Sequence, residues 1–142
     1  MPRLDLTYFG AVQVTLDGEP ITNFRGANNQ GLLVYLSLQP DRVFPREVLA
    51  SLFWPNTTTS NALNNLKNAI SHLRKILGDD KNPVPFLLSR RTTIQFNPLS
   101  NFRLDVQLFR EAIQLEDWEK ALVHFGGDLL SGFRCNSEAF EA

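Results

Sequence analysis

Side chains capable of catalysis or metal binding are sparse here and far apart. His72 and His124 stand about fifty residues from each other, and Cys135 is the one thiol. Nucleophilic and metal sites need His, Cys, Asp or Glu in clusters, and this spacing offers none. The segment GDLLSG, residues 127–132, lacks both the spacing and the lysine of a phosphate-binding loop. His124 falls beside Leu122 and Phe125 in a helical pattern and reads as a partly buried structural histidine. Neither catalysis nor a cofactor or metal is expected.

Polar groups do concentrate in SNALNNLKNAISHLRKILG, residues 60–78. On a wheel of about 100° per residue with Leu66 at zero, the residues Ala62, Leu63, Ala69, Ile70, Leu73, Ile76 and Leu77 share one side. The opposite side carries Asn61, Asn64, Asn65, Asn68, Ser71, His72 and Lys75, with Lys67 and Arg74 flanking the seam. Solvated helices usually mix Glu with Lys, which favour the helix and pair across a turn. This polar side has no acid at all. Asn pairs bidentately with adenine, Lys and His donate to guanine, and Ser and Asn donate to phosphate oxygens that a carboxylate would repel. Asn64, Lys67, Asn68, Ser71, His72 and Lys75 are therefore the candidate readers of a DNA major groove. A merely solvated, Asn-rich face is the plain alternative.

Charge supports the sharper reading by its distribution more than by its sum. The 142-residue chain has a net charge of −1, which alone argues against a nucleic-acid binder. Yet no Asp or Glu occurs between Glu47 and Asp79, a stretch of about thirty residues that an anion could approach. Residues 101–142 hold four Lys or Arg against eight Asp or Glu, so the acidic excess lies elsewhere. No window approaches the ~18 apolar residues of a membrane span. Asp5 interrupts the apolar opening, so no signal peptide is expected. A single cysteine fits a reducing compartment, and a cytoplasmic location is expected.

The elements that must position the helix follow from periodicity. Leu4, Leu6, Tyr8 and then Val12, Val14, Leu16 alternate with polar residues, which predicts a small antiparallel sheet. The segment EPITNF supplies a third short strand. A helix is expected from Gln30 to the stop at Pro40-Asp41, and a short one from Pro45 to Trp54-Pro55. Thr59 or Ser60 is placed to cap the third helix, and Gly78 to end it. FLLSRRTTIQF then makes a hairpin with Arg90, Arg91 and Thr92 at its tip. Residues 98–104 read as a connection. Beyond it come two acidic amphipathic helices, LDVQLFREAIQ and DWEKALVHF, with Asp105 and Asp117 as caps. Three helices and a basic hairpin in this order make an α+β winged helix-turn-helix, with the third helix in the major groove and the wing's cations on phosphate or in the minor groove.

The segments FGAVQVTLDGEPITNFR, LLVYLSLQP, REVLASLFWP, NNLKNAISHLRKILG and RRTTIQFNP together resemble the OmpR/PhoB-type winged-helix domain. They are most similar to the version at the N-terminus of AfsR-type bacterial transcriptional activators. The resemblance covers about residues 4–98. It implies a DNA-binding domain over residues 1–99, with double-stranded DNA as partner and RNA polymerase and a second copy as further candidates. Residues 100–142 look like the opening of a bacterial transcriptional activation domain, a helical hairpin of a TPR-like array, so the chain reads as a fragment of a longer regulator. Asn28, Asn29 and Gln30 stand where the family often has cations, and Leu63 and His72 where it usually has Arg. Arg103 stands where it commonly has Trp. The rival reading is a winged helix that binds protein or dimerises without reading DNA.

Overall fold

The computed structural model describes residues 2–117 and 119. The chain begins with strands β1 (Leu4–Thr7), β2 (Gln13–Leu16) and β3 (Glu19–Pro20). Helix α1 (Ala27–Ser37), strand β4 (Phe44–Pro45) and helices α2 (Arg46–Phe53) and α3 (Thr59–Ile76) follow. Strands β5 (Leu87–Ser89), β6 (Thr93–Phe96) and β7 (Phe102–Leu104) then lead to α4 (Asp105–Gln114). These elements form two compact units: one takes residues up to Thr22 with those from Asn101 onward, and the other spans Asn23 to Ser100.

The first unit is a four-stranded sheet in the order β3-β2-β1-β7. In β1 the alternation is the expected one, since Leu4, Leu6 and Tyr8 are buried while their neighbours are not; in β2 only Val14 is buried, and Val12 and Leu16 are half-buried. Asp17 and Gly18 both have positive φ, 52° and 83°, as the tight turn from β2 to β3 requires. The third strand is shorter than expected, only Glu19–Pro20. The fourth lies where the sequence predicts only a connection: Phe102–Leu104 pairs parallel with β1, Leu4 opposite Phe102 and Leu6 opposite Leu104. The unit thus draws strands from both sides of residue 100. Asp105, expected as the cap of its helix, is instead the first residue of α4, with Leu104 at the N-cap and no side-chain cap bond. Its carboxylate accepts the Val106 N–H at 2.8 Å, and also the N–H groups of Tyr8 and Phe9, each at 2.9 Å. The Phe9 and Phe109 rings meet edge to face at 5.2 Å.

The second unit carries the three helices and the hairpin. Helix α1 is apolar round most of its circumference and is buried at Leu32, Leu33, Val34 and Leu36. It begins at Ala27, three residues earlier than expected, after Gly26 with φ 123°. Helix α2 follows Pro45, which acts as its N-cap, and stops at Trp54. Helix α3 is capped by Thr58, whose hydroxyl accepts the Asn61 N–H at 3.1 Å, one residue before the expected Thr59 or Ser60. Gly78, at φ 70°, ends the helix in the left-handed conformation. The apolar side drawn on the wheel is the buried one: Ala62, Leu66, Ala69, Ile70 and Leu73 are each at most 3% exposed. Beneath the helices lies a three-stranded sheet in the order β4-β6-β5. Its edge strand, Phe44–Pro45, has no alternation to announce it, and Pro there removes no needed donor.

No helix among the described residues is long and apolar enough to cross a membrane. The second acidic helix expected from Asp117, and with it the repeat character of that region, lies outside the described residues, as do His124 and Cys135.

Candidate nucleic-acid interface

Packing fixes which side of α3 faces outward. Because Leu66, Ile70 and Leu73 are sealed in the core, Asn64, Lys67, Asn68, Ser71 and Lys75 are all exposed. No carboxylate stands on the helix, and its last turn carries Arg74 and Lys75. His72 differs from the rest. It is half-buried, and its Nε2 lies 2.7 Å from the carbonyl oxygen of Asn23. A carbonyl only accepts, so Nε2 carries the proton and donates it there.

The wing is the turn between β5 and β6, with Arg90, Arg91 and Thr92 exposed at its tip. The hairpin is closed at its neck by the Arg90 N–H on Thr93 O at 2.9 Å. Its tip is held from outside by Arg46, the first residue of α2. The Arg46 N–H donates to Thr92 O at 3.0 Å, Nε to Arg90 O at 3.0 Å, and Nη2 to Ser89 Oγ at 2.7 Å. Burial pushes the Arg46 guanidinium below its ordinary pKa, yet an arginine stays charged.

Helix and wing enclose a cleft of about 400 Å³ lined by Arg46, Lys67, Ser71, Arg74, Ser89 and Arg91, with Asp80 at one side. Arg74 Nη2 bonds Asp80 Oδ1 at 3.1 Å, so that cation is already matched. Lys67, Ser71 and Arg91, drawn from two separate stretches, are thus brought to one place. Arg90 is not among them. It lines a neighbouring hollow with Pro85, Leu87 and Leu88, which shares Arg74 and Ser89 with the cleft. The two wing arginines therefore face different surroundings, although the sequence presents them as equivalents.

On its other flank α3 lines a depression of about 290 Å³ where Asn65, Asn68 and His72 meet Arg25, Asn29 and Trp54. Asn64 and Lys75 lie on the crest between the two hollows. Asn28 and Asn29, standing where cations were expected, have internal work. The Asn28 amide donates to Phe53 O at 3.0 Å, at the carbonyl end of α2, and the Asn29 amide to Phe24 O at 2.8 Å. Among the described residues no group of three His, Cys, Asp or Glu is placed to hold a metal.

Two cations of this surface escaped the sequence reading. Arg46 gave no signal, because nothing local says that a residue after Pro45 reaches across β6 to the wing. Arg25 precedes α1 with a positive φ of 60°, outside any periodic run.

Residues 26–92 match the family model described as transcriptional regulatory protein, C terminal. No curated protein gives a significant match. Among solved structures, the chain is similar to EmbR of Mycobacterium tuberculosis in complex with a low-affinity phosphopeptide, with a TM-score of 0.69 and 23% identity. The alignment covers 92% of this chain and 38% of that one, so the chain spans well under half of that protein. That likeness shows the fold, while the family match carries the class of function. Over residues 26–92, just under half of the chain, the protein is thus similar to the DNA-binding domain of the transcriptional regulatory protein C-terminal family, of the OmpR/PhoB winged-helix type.

Proposed function

We propose that this domain binds double-stranded DNA sequence-specifically, with α3 in the major groove and the wing on the sugar-phosphate backbone. The observation that carries this is the exposed, acid-free crest of α3, beside a wing whose Arg91 shares a cleft with Lys67 and Ser71. Asn64 and Asn68 have the donors and acceptor to read an adenine edge, and a good bidentate pair discriminates by about 1–3 kcal/mol. Lys67, Ser71, Lys75 and the wing residues Arg90, Arg91 and Thr92 are assigned to phosphates, which set register and orientation without reading sequence. Such a regulator works in the bacterial cytoplasm, with RNA polymerase or a second copy as its further partners.

Selection of bound duplexes from a random pool tests this directly. Enrichment of one motif is expected, and a repeated half-site would reveal dimerisation through its spacing. The net charge of −1 favours a second reading, in which the winged helix meets a protein instead. Salt separates the two. Duplex binding weakens steeply as salt rises, by a slope of about −0.9 per neutralised phosphate, whereas an apolar protein interface is little affected.

A further inference from the structure

We propose that Arg46 is a positioning residue for the wing, which locks the hairpin tip against α2 so that Arg91 stands ready beside α3. This rests on the DNA-binding reading above. The geometry is specific to a guanidinium. Arg46 stands one residue beyond Pro45, and β4 is the edge strand whose Pro45 faces Thr93 on β6. From there a long planar fork reaches over β6 and bonds two successive residues of the descending arm, Ser89 through its hydroxyl and Arg90 through its carbonyl. Its own backbone N–H takes Thr92 O on the far side of the tip. Both ends of the turn are thereby tied to the first residue of one rigid helix. A lysine has the charge but only a point-like head, so it cannot hold two acceptors in fixed directions.

A free two-stranded hairpin is marginal in water, and its tip samples many conformations. Held by Arg46, the tip does not have to be ordered when DNA arrives, and the ordering cost is removed from binding. Arg46 also lines the cleft, which raises the competing reading that it contacts phosphate itself. A double-mutant cycle distinguishes a residue that acts through Arg91 from one that acts beside it.

The experiment compares Arg46→Ala and Arg46→Lys, each alone and combined with Arg91→Ala, in duplex affinity and in amide hydrogen exchange of the DNA-free protein. Arg46→Ala keeps the backbone N–H on Thr92 and so removes only the fork. Positioning predicts that exchange at the Arg90 amide rises about tenfold in both variants while the Leu77 amide at the end of α3 is unchanged. It also predicts that Arg46→Ala weakens binding about tenfold alone, but less than about twofold when Arg91 is already Ala. Arg46→Lys should behave as Arg46→Ala does. An equal loss in both backgrounds, restoration of affinity by Lys, or an unchanged Arg90 amide would each overturn the proposal. If the parent chain binds no duplex, the DNA-binding reading fails, and the exchange measurement still decides whether Arg46 holds the wing.

Discussion

His72 Nε2 lies 2.7 Å from the carbonyl oxygen of Asn23, so one side chain expected to read bases is already bonded within the protein. The bond ties α3 to the segment that enters α1, where Arg25 and Gly26 both have positive φ. Backbone held in that region by a non-glycine residue is kept there by its surroundings. His72 is one of those surroundings. Its position on the polar side of the wheel and its bond to Asn23 are compatible, because that side borders the Arg25 depression.

The first prediction separates two neighbours on α3. Asn68→Ala should cost about 1–3 kcal/mol at the preferred duplex and much less on a scrambled one. His72→Ala should instead lower stability by about 0.5–1.5 kcal/mol and weaken both duplexes by one factor. Competition binding with the two duplexes, beside denaturant unfolding, reads both effects. A change of preferred sequence caused by His72→Ala would return that residue to the base-reading set.

The second concerns the core that presents the helix. Leu73 is fully buried, and the Leu36, Leu49 and Phe53 side chains of the other two helices are buried with it. Leu73→Ala should therefore cost about 2–5 kcal/mol, as a lost transfer energy plus a residual cavity. Urea unfolding measures it. A loss below about 0.5 kcal/mol, typical of surface substitutions, would contradict the burial.

The third follows from Asp79, which is 3% exposed and accepts the Phe86 and Leu87 N–H groups at 2.9 and 3.1 Å. Burial pushes its carboxyl above the ordinary value of 3.8, while those two bonds and the Arg74 charge pull against the shift and Asp80 adds to it. A raised folded pKa means that the unfolded state gives up the proton first. The stability this group contributes is thus present below about pH 3.8 and is lost as pH rises through the folded value. Measured against Asp79→Asn across acid pH, the parent should lose relative stability as pH rises from 3.8. A relative gain in that window would show that the hydrogen bonds outweigh burial.

How far the sequence showed all this depended on whether a feature is local. Helix α3 was legible because eighteen residues keep one apolar stripe, and its ends were misplaced by only a residue or two. The hairpin was legible from its two short β runs around Arg-Arg-Thr. β7 was not, because a parallel pairing between Leu4 and Phe102 leaves no local period. β4 was hidden by having two residues, one of them Pro. The cap of α3 was missed by one because Thr57, Thr58 and Thr59 offer the same hydroxyl, and only backbone geometry selects among them. The exposed members of the proposed site followed from the wheel. Its internal ties, Arg46 to the wing and His72 to Asn23, span 44 and 49 residues and could be seen only in three dimensions.

The last prediction divides the two wing arginines. Arg91 lines the cleft with Lys67 and Ser71, whereas Arg90 lines the neighbouring hollow and its carbonyl is occupied by Arg46. A duplex that receives α3 in its major groove brings its backbone first to the side of the wing that α3 shares. Each phosphate neutralised releases about 0.9 of a counterion, so losing one contact flattens the logarithmic salt slope by roughly one unit. Arg91→Ala should produce that change and weaken preferred and scrambled duplexes alike, since backbone contacts carry no sequence information. Arg90→Ala should flatten the slope less, because Arg90 lines the neighbouring hollow with Pro85 and Leu88 and is not among the residues of the cleft that holds Lys67 and Ser71. Binding of both variants to both duplexes over several salt concentrations makes the comparison. Equal flattening by the two substitutions would mean that DNA meets both hollows alike, and an unchanged slope in both would remove the wing from the interface.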